Sequence, residues 1–489
     1  MRTVFASCLL LLFCIALPLE IVAADRTNIV YILADDLGWT DLACQGSKYY
    51  ETPNIDRLAA SGMRFLNYHN CQNCQPTRAA LMSGQYGART GVYTVGGTDR
   101  FDWSMRPLRP VDNVTSLPLE KITIAQSLKN AGYATGMFGK WHLGNDKQYH
   151  PSQRGFDEAL SWHGDHFDFT TEPPSEHPKG QYLADFLTDK AVDFITRNQS
   201  KPFFLYLPHY AVHSPHQAKP ELISKFQDKP GVGGHSNPKY AAMIASVDES
   251  VGRIVMLLDD LKLTEKTLVV FSSDNGGVGG YVREGIKDSG DVTDNAPLRS
   301  GKGSLYEGGI RDPFIVKWPG KVKPGTNCSV PAIHVDVYPT LLQVANVESP
   351  KEYPLDGQSL VPLWKGETTT LQREAIYQHF PGYLGAGKDS WRTTPVGLIQ
   401  IGTWKLMEFF EDNRLELYNL ADDPGESKNL AKSNPEKATE LHQKMIAWRK
   451  EVQAPMPTPN DSTSKPAVKE NKKLKNQGKK IKEAAEAGS

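Results

Sequence analysis

Cys74 opens the run Cys74-Gln75-Pro76-Thr77-Arg78-Ala79-Ala80-Leu81-Met82-Ser83-Gly84, in which a cysteine stands just ahead of a proline and a helix-compatible stretch. Proline is favoured in the first turn of a helix, so the spacing predicts Cys74 at a helix N-terminus. Free backbone N–H groups and the helix dipole favour an anion there, either a thiolate or a bound oxyanion. Arg78, one turn further on, adds a fixed cation. Two other pairs, Asp35-Asp36 and Asp274-Asn275, offer hard oxygen ligands suited to calcium or magnesium, whereas zinc usually brings histidine or cysteine. Cys71 and Cys74 form a C-x-x-C pair, yet no second pair lies at zinc-ligand spacing and no thioredoxin-like strand precedes it.

These groups need elements to position them. Asn28 to Leu33 and Leu268 to Ser272 are short β-branched runs that end at Asp35-Asp36 and Asp274-Asn275, and both read as buried strands with carboxylates at their carboxyl ends. Phe203 to Leu207 leads in the same way to His209 and His213, with amphipathic helical patterns between, at Thr123 to Ala131 and Lys239 to Leu261. Strands alternating with helices predict an α/β fold, a mostly parallel sheet covered on both faces. In such sheets chemistry gathers beyond the carboxyl ends of the strands, so the separate polar clusters can converge. The pattern divides the chain into residues 1–24, a large α/β domain over 25–370 that carries these candidate groups, a smaller C-terminal α+β domain over 371–454, and a disordered, solvated Lys-rich tail over 455–489.

With 489 residues, 39% of them hydrophobic and 23% charged, the composition is that of a globular protein. The formal charge of -1 provides no global electrostatic reason for a nucleic-acid or membrane partner. Arg2, the apolar run Val4 to Ala16 and the small residues Val22-Ala23-Ala24 have the layout of a secretory signal, with cleavage before Asp25. The run is shorter than the roughly 20 residues of a membrane span, and Pro18 and Glu20 prevent its extension. The expected destination is therefore periplasmic, extracellular or lumenal. Cys44, Cys71, Cys74 and Cys328 of the mature chain are too sparse for a disulfide scaffold. Asn113, Asn198 and Asn327 lie in glycosylation sequons.

The Cys74 motif, C-x-P-x-R followed by A-A-L-x-S-G, resembles the signature of type I sulfatases, with Thr77 where the commonest version has serine. Gly132-Tyr133-Ala134-Thr135-Gly136-Met137-Phe138-Gly139-Lys140-Trp141-His142 is similar to the second signature of that family. Further matches are Asp35-Asp36, His213 in His213-Ser-Pro-His216, Asp274-Asn275-Gly276-Gly277, Lys302 in Gly301-Lys302-Gly303, and the stretch from Glu416 to Pro424. The resemblance covers nearly the whole mature chain and implies an alkaline-phosphatase-like fold and hydrolysis of sulfate esters, with sulfated carbohydrate as the expected substrate and an aryl sulfate as the alternative. It implies that a formylglycine-generating or other sulfatase-maturing enzyme converts Cys74 to formylglycine, and that one calcium ion is held by Asp35, Asp36, Asp274, Asn275 and residue 74. It also implies sulfate contacts from Lys140, His213 and Lys302, proton donation to the leaving alcohol from His213 or Lys302, proton removal by His142, and charge support from Arg78 and Lys140. Arg311 reads as a support of the fold, and His163-Gly-Asp165-His166 as a polar loop or part of a substrate pocket. The rival readings are a phosphonate or phosphate monoester hydrolase of the same fold and a non-catalytic glycan-binding protein.

Overall fold

The computed structural model describes residues 26–286, 290–387 and 390–460. Residues 1–24, expected as a signal segment, and the expected tail beyond residue 460 lie outside the described residues. Nine strands form the main sheet: β1 (Asn28–Ala34), β2 (Met63–Phe65), β3 (Ala134–Gly139), β4 (Glu158–Gly164), β5 (Phe169–Glu172), β6 (Phe203–Pro208), β7 (Thr267–Ser273), β8 (Phe314–Lys317) and β9 (Thr326–Cys328). Their spatial order is β9-β2-β8-β7-β1-β6-β3-β4-β5. The central strands from β7 to β4 run parallel, while β8 and β5 pair antiparallel with their inner neighbours. The sheet is thus mixed, with its parallel part at the centre.

All seven residues of β1 are buried, which is what a central strand covered on both faces requires. Its side chains alternate between two cores. Val30, Ile32 and Ala34 pack with helices α1 (Pro53–Ala60), α4 (Leu183–Asn198) and α5 (Pro238–Asp260), whereas Ile29, Tyr31 and Leu33 join α2 (Cys74–Ser83), α3 (Ile124–Asn130) and α6 (Val337–Ala345). Among the described residues, no helix is long and apolar enough to cross a membrane.

A second, antiparallel sheet is built from β10 (Ile376–Phe380), β13 (Val396–Ile401), β14 (Trp404–Phe409) and β15 (Arg414–Asn419). The hairpin β11 (Leu384–Gly387) and β12 (Ser390–Thr393) leaves it, and helix α7 (Pro435–Glu451) packs on its face. The two sheets are joined by charge: Lys405 of β14 is fully buried and lies 2.8 Å from both Glu307 and Glu426, while Glu307 also receives His69 at 3.1 Å and Arg311 at 2.6 Å. Arg311 therefore supports the fold. Pro455–Asn460, expected as the start of a solvated tail, instead dock on the catalytic domain, where Thr458–Pro459 pair antiparallel with Leu108–Arg109 and Asn460 donates to the Ser104 and Arg106 carbonyls. Backbone pairing with an edge segment supplied by a distant loop outweighs the polar composition of this stretch. Of the sequon asparagines, Asn113 and Asn198 spend their amides on backbone carbonyls, and Asn327 is exposed.

Burial sets an acid limit on this fold. His209 is fully buried against Ser250 at 2.9 Å, and burial pushes its pKa down from 6.5 to about 4. Between these values the unfolded chain binds a proton that the folded chain refuses, so the stability contributed by the neutral ring is present above pH 6.5 and is lost as pH falls toward 4. His209→Gln is expected to remove this dependence, worth ~3 kcal/mol for a single ring. Thermal melts between pH 7 and pH 4.5 check it: the parent should lose about 3 °C relative to the variant. Parallel pH curves would refute the assignment.

Candidate active site

The register of the central strands brings the carboxylates together. Ala34 of β1 lies beside Ser273 of β7, so Asp35-Asp36 and Asp274-Asn275 leave adjacent strand ends side by side. The next strands, β6 and β3, lead to His213 and Lys140. At the end of β3, Gly139 has φ 135°, and a Cβ there would stand 2.0 Å from the Pro208 carbonyl oxygen. Glycine is what lets the chain turn at this point and direct Lys140 into the site. Asp36 (φ 65°) and His142 (φ 61°) hold left-handed backbone that non-glycine residues seldom adopt, a cost that concentrates at functional sites.

Cys74 is the first residue of α2, as its spacing from Pro76 predicts, and it is 1% exposed at the floor of a cavity of about 450 Å3. Its Sγ lies 3.4 Å from His142 Nδ1. Arg78, buried on the same helix, donates from Nε and Nη2 to Asp274 Oδ2 at 2.9 and 2.7 Å and from Nη1 to the Lys140 carbonyl at 2.6 Å. Lys140 Nζ pairs with Asp35 Oδ2, and Lys302 Nζ reaches both oxygens of Asp36 at 2.5 and 2.7 Å. Asn275 Nδ2 donates to Asp36 Oδ1 at 2.9 Å, and His213 Nε2 faces Asp36 Oδ2 at 3.8 Å. The ten residues expected to have catalytic, metal-binding or sulfate-binding roles thus meet in one site.

The electrostatics are a consequence of this crowding. Burial would raise Asp35, yet Lys140, His213 and Arg78 pull its carboxyl far below the usual range. Asp274 goes the other way, raised by burial and by Asp35 against the opposing pull of Arg78. Burial, then Lys140 and Arg78, push His142 down to about 3, so its ring is neutral. Burial brings His213 down to about 4.

Asp35 Oδ1 and Asn275 Oδ1 are buried without a hydrogen-bond partner. These two orphaned oxygens belong to a cluster of hard donors that includes the Asp35, Asp36 and Asp274 carboxylates, and Asp35, Cys74 and Asp274 each offer one ligand atom within 4.8 Å of the others. This donor set fits a divalent cation of the calcium type.

The sulfatase family profile matches residues 27–347. The chain belongs to the sulfatase family. A second profile, N-sulphoglucosamine sulphohydrolase, C-terminal, matches residues 301–451. A sulfatase of Formosa agariphila is 33% identical over 88% of this chain and 90% of its own length. The N-acetylgalactosamine-6-O-sulfatase of Bacteroides thetaiotaomicron is 30% identical over 86% and 92%, and the N-acetylgalactosamine-6-sulfatase of Sus scrofa 35% identical over 70% and 66%. Among solved structures, Ps i-CgsB in complex with k-i-k-neocarrahexaose superposes with a TM-score of 0.74 at 30% identity, covering 88% of this chain and 94% of that one. This sulfatase is accordingly a sulfuric ester hydrolase on an alkaline-phosphatase-like fold. A phosphonate monoester hydrolase shares the fold alone, at 19% identity and a TM-score of 0.61.

Other walls of the sulfatase site carry no motif. Trp162 stacks on Tyr210 with centroids 3.6 Å apart, and both line the cavity together with Arg100, Phe101, His150, Glu172 and Arg392. Most of these lie in loops or on edge strands, where periodicity says nothing about function. His166 lies beneath the wall, buried, with Nε2 2.9 Å from the His213 carbonyl oxygen and its ring stacked on Tyr210. It positions His213 and does not line the cavity.

Proposed function

We propose that this sulfatase hydrolyses sulfate esters of carbohydrates through a formylglycine made from Cys74, with calcium bound at the same site, after export from the cell. The observation that carries the reading is the convergence of Cys74, Lys140 and Lys302 on one cavity floor, with the four oxygen-bearing residues and Arg78 buried directly against them. The carbohydrate class is supported by the names of the N-acetylgalactosamine-6-sulfatase relatives and by the saccharide in the similar structure. A 6-O-sulfated N-acetylhexosamine is therefore the first substrate to try. The N-terminal residues support export, which would also bring the chain to a sulfatase-maturing enzyme.

Asp35, Asp36, Asp274 and Asn275, with residue 74, would hold calcium, which supplies positive charge against the sulfate oxygens. Formylglycine would supply, as its hydrate, one hydroxyl to attack sulfur and a second whose deprotonation would later break the bond from carbon to the sulfated oxygen, releasing sulfate and restoring the aldehyde. Around these groups Lys140 and Lys302 orient the sulfate by charge, and Arg78 fixes Asp274 and the start of α2. His142, neutral and 3.4 Å from Sγ, takes up a proton at Nδ1 from residue 74.

His213 has Nδ1 turned to the Ser214 carbonyl at 2.6 Å, so Nε2 faces the cavity. It donates from Nε2 once the ring is protonated, a form that an anionic substrate favours against the effect of burial. His213→Ala should therefore slow a carbohydrate sulfate, with its poor leaving group, at least ~100-fold more than a nitroaryl sulfate in single turnover. Equal losses on both substrates would assign His213 to sulfate binding instead.

A desulfation screen over defined sulfated saccharides tests the function directly: release of sulfate from a 6-O-sulfated hexosamine is expected, and turnover of phosphonate or phosphate monoesters alone would overturn it. Chelation should abolish activity, and calcium should restore it better than zinc, because the donors are hard oxygens.

A further inference from the structure

Phe101 lines the same cavity as Cys74, yet the loop that carries it has little support of its own. Between Thr98 and Arg109 the chain forms one short 3-10 turn, Thr98–Arg100, and most residues from Arg100 onward are exposed. The Phe101 ring is fitted against Gly385 of β11, where a Cβ would stand 2.8 Å from it, and meets Trp391 of β12 at a centroid distance of 6.3 Å. What holds the loop comes from a distant part of the chain. Asn460 donates both protons of its side-chain amide, to the Ser104 carbonyl at 3.0 Å and the Arg106 carbonyl at 2.9 Å, and its backbone N–H to the Pro107 carbonyl at 2.9 Å. One residue thus satisfies three carbonyls of the loop, and Thr458–Pro459 add the pairing with Leu108–Arg109. His379 of β10 anchors the other end of this segment, with Nε2 2.7 Å from the Pro455 carbonyl oxygen. From the second sheet, Glu411 accepts from Arg106 Nε at 3.0 Å, and the Arg106 guanidinium lies over the Tyr383 and Trp391 rings at 5.6 and 5.7 Å. The two family profiles end at residues 347 and 451, so Pro455–Asn460 lies beyond what they cover.

We propose that Asn460 is a positioning residue for the Phe101 wall, so that the docked segment Pro455–Asn460 sets how well the cavity binds the part of the substrate beyond the sulfate. The inference rests on the carbohydrate reading above and deepens it, because an aromatic ring held at the wall offers a flat apolar surface to a sugar. Asn460 does not line the cavity, so it acts through the loop. Its amide is suited to the task by chemistry: the two carbonyls facing it need two donors, which an aspartate of the same shape lacks when ionised. Replacing the amide with a carboxylate therefore turns two hydrogen bonds into two repulsive contacts without altering size.

Hydrogen exchange and steady-state kinetics on the full-length parent, Asn460→Ala and Asn460→Asp proteins test this. Loss of two hydrogen bonds should speed amide exchange over residues 98–109 by about 10-fold in Asn460→Ala and further in Asn460→Asp, with β1 and β7 at the parental rate. The KM for a disaccharide of N-acetylgalactosamine 6-sulfate should rise about 10-fold at nearly constant kcat, the mark of binding lost equally from ground and transition states. The KM for 4-nitrophenyl sulfate, a single ring that extends little beyond the floor, should change by about twofold or less. Thermal melts of each variant exclude general unfolding as the cause. Parental exchange over 98–109 in Asn460→Asp overturns the positioning role, and equal changes in KM on the two substrates overturn its part in substrate binding. Failure of the parent itself to release sulfate from the disaccharide removes the carbohydrate reading and with it the substrate part of the inference, while the exchange measurement, which needs no turnover, still decides whether Asn460 holds the loop.

Discussion

Cys74→Ser, produced in a host whose maturation machinery oxidises only cysteine, should lose turnover by about 10^4-fold or more while melting within a few degrees of the parent. The structural part of this expectation rests on similarity of size. Cys74 is 1% exposed in the first turn of α2, and a serine hydroxyl can occupy the position of Sγ near His142 without a change of backbone. The chemical part rests on what serine lacks. A serine hydroxyl can attack sulfur, but with no second hydroxyl on the same carbon it has no route to expel the bound sulfate. A burst of about one product per enzyme and then arrest would support this division of labour, whereas parental turnover would remove residue 74 as the nucleophile. Mass spectrometry of the peptide containing residue 74 in the parent gives the companion measurement.

Asp274→Ala should be nearly as damaging, for two separable reasons. It removes one of the hard oxygen ligands proposed for calcium, and a loss of electrostatic stabilisation on this scale lowers turnover by about 10^3-fold. It also leaves Arg78 as a fully buried cation whose strongest partner is gone, with Asp35 remaining at 3.5 Å. Breaking one side of a buried ion pair costs about 3–5 kcal/mol, or roughly 3–6 °C in Tm for a chain of this size. Arg78→Met added to Asp274→Ala should recover much of the lost stability and none of the activity, because the second substitution removes the stranded charge and not the ligand defect. An Asp274→Ala protein that melts with the parent and turns over normally would refute both roles.

Much of this site can be read from the chain because strand ends and helix starts carry local signals. Asn28–Ala34 and Thr267–Ser273 are apolar runs that stop at carboxylates, and the Pro76 spacing marks the start of α2. Once such strands are adjacent and parallel, Asp35 and Asp274 must converge. The edges of the architecture are less legible. Phe169–Glu172 and Phe314–Lys317 reverse the strand direction on either side of the parallel centre, which a short run of four residues does not reveal. Nor does the polar run Pro455–Asn460 show that it will be held by backbone pairing to Leu108–Arg109, since any sequence can supply those N–H and C=O groups. Arg100, Trp162 and Arg392 could not be found by pattern either, because what unites them is a shared cavity.

The central position of β1 also constrains how the chain can mature. Ile29 is among the first described residues to be synthesised, yet its sheet partners are Phe204 on one side and Leu268 on the other. A nascent chain therefore carries a mostly apolar strand with both edges unpaired until Pro208 has been made and one edge unpaired until Ser273, when more than half of the protein has been made. Contacts this distant give a high contact order and a slow search, and unpaired apolar strands are where aggregation begins. For recombinant production, yield should depend on chaperone capacity and temperature during synthesis more than on the stability of the finished fold. Truncations that end before β7 should give insoluble protein, because they leave β1 without one of its two neighbours.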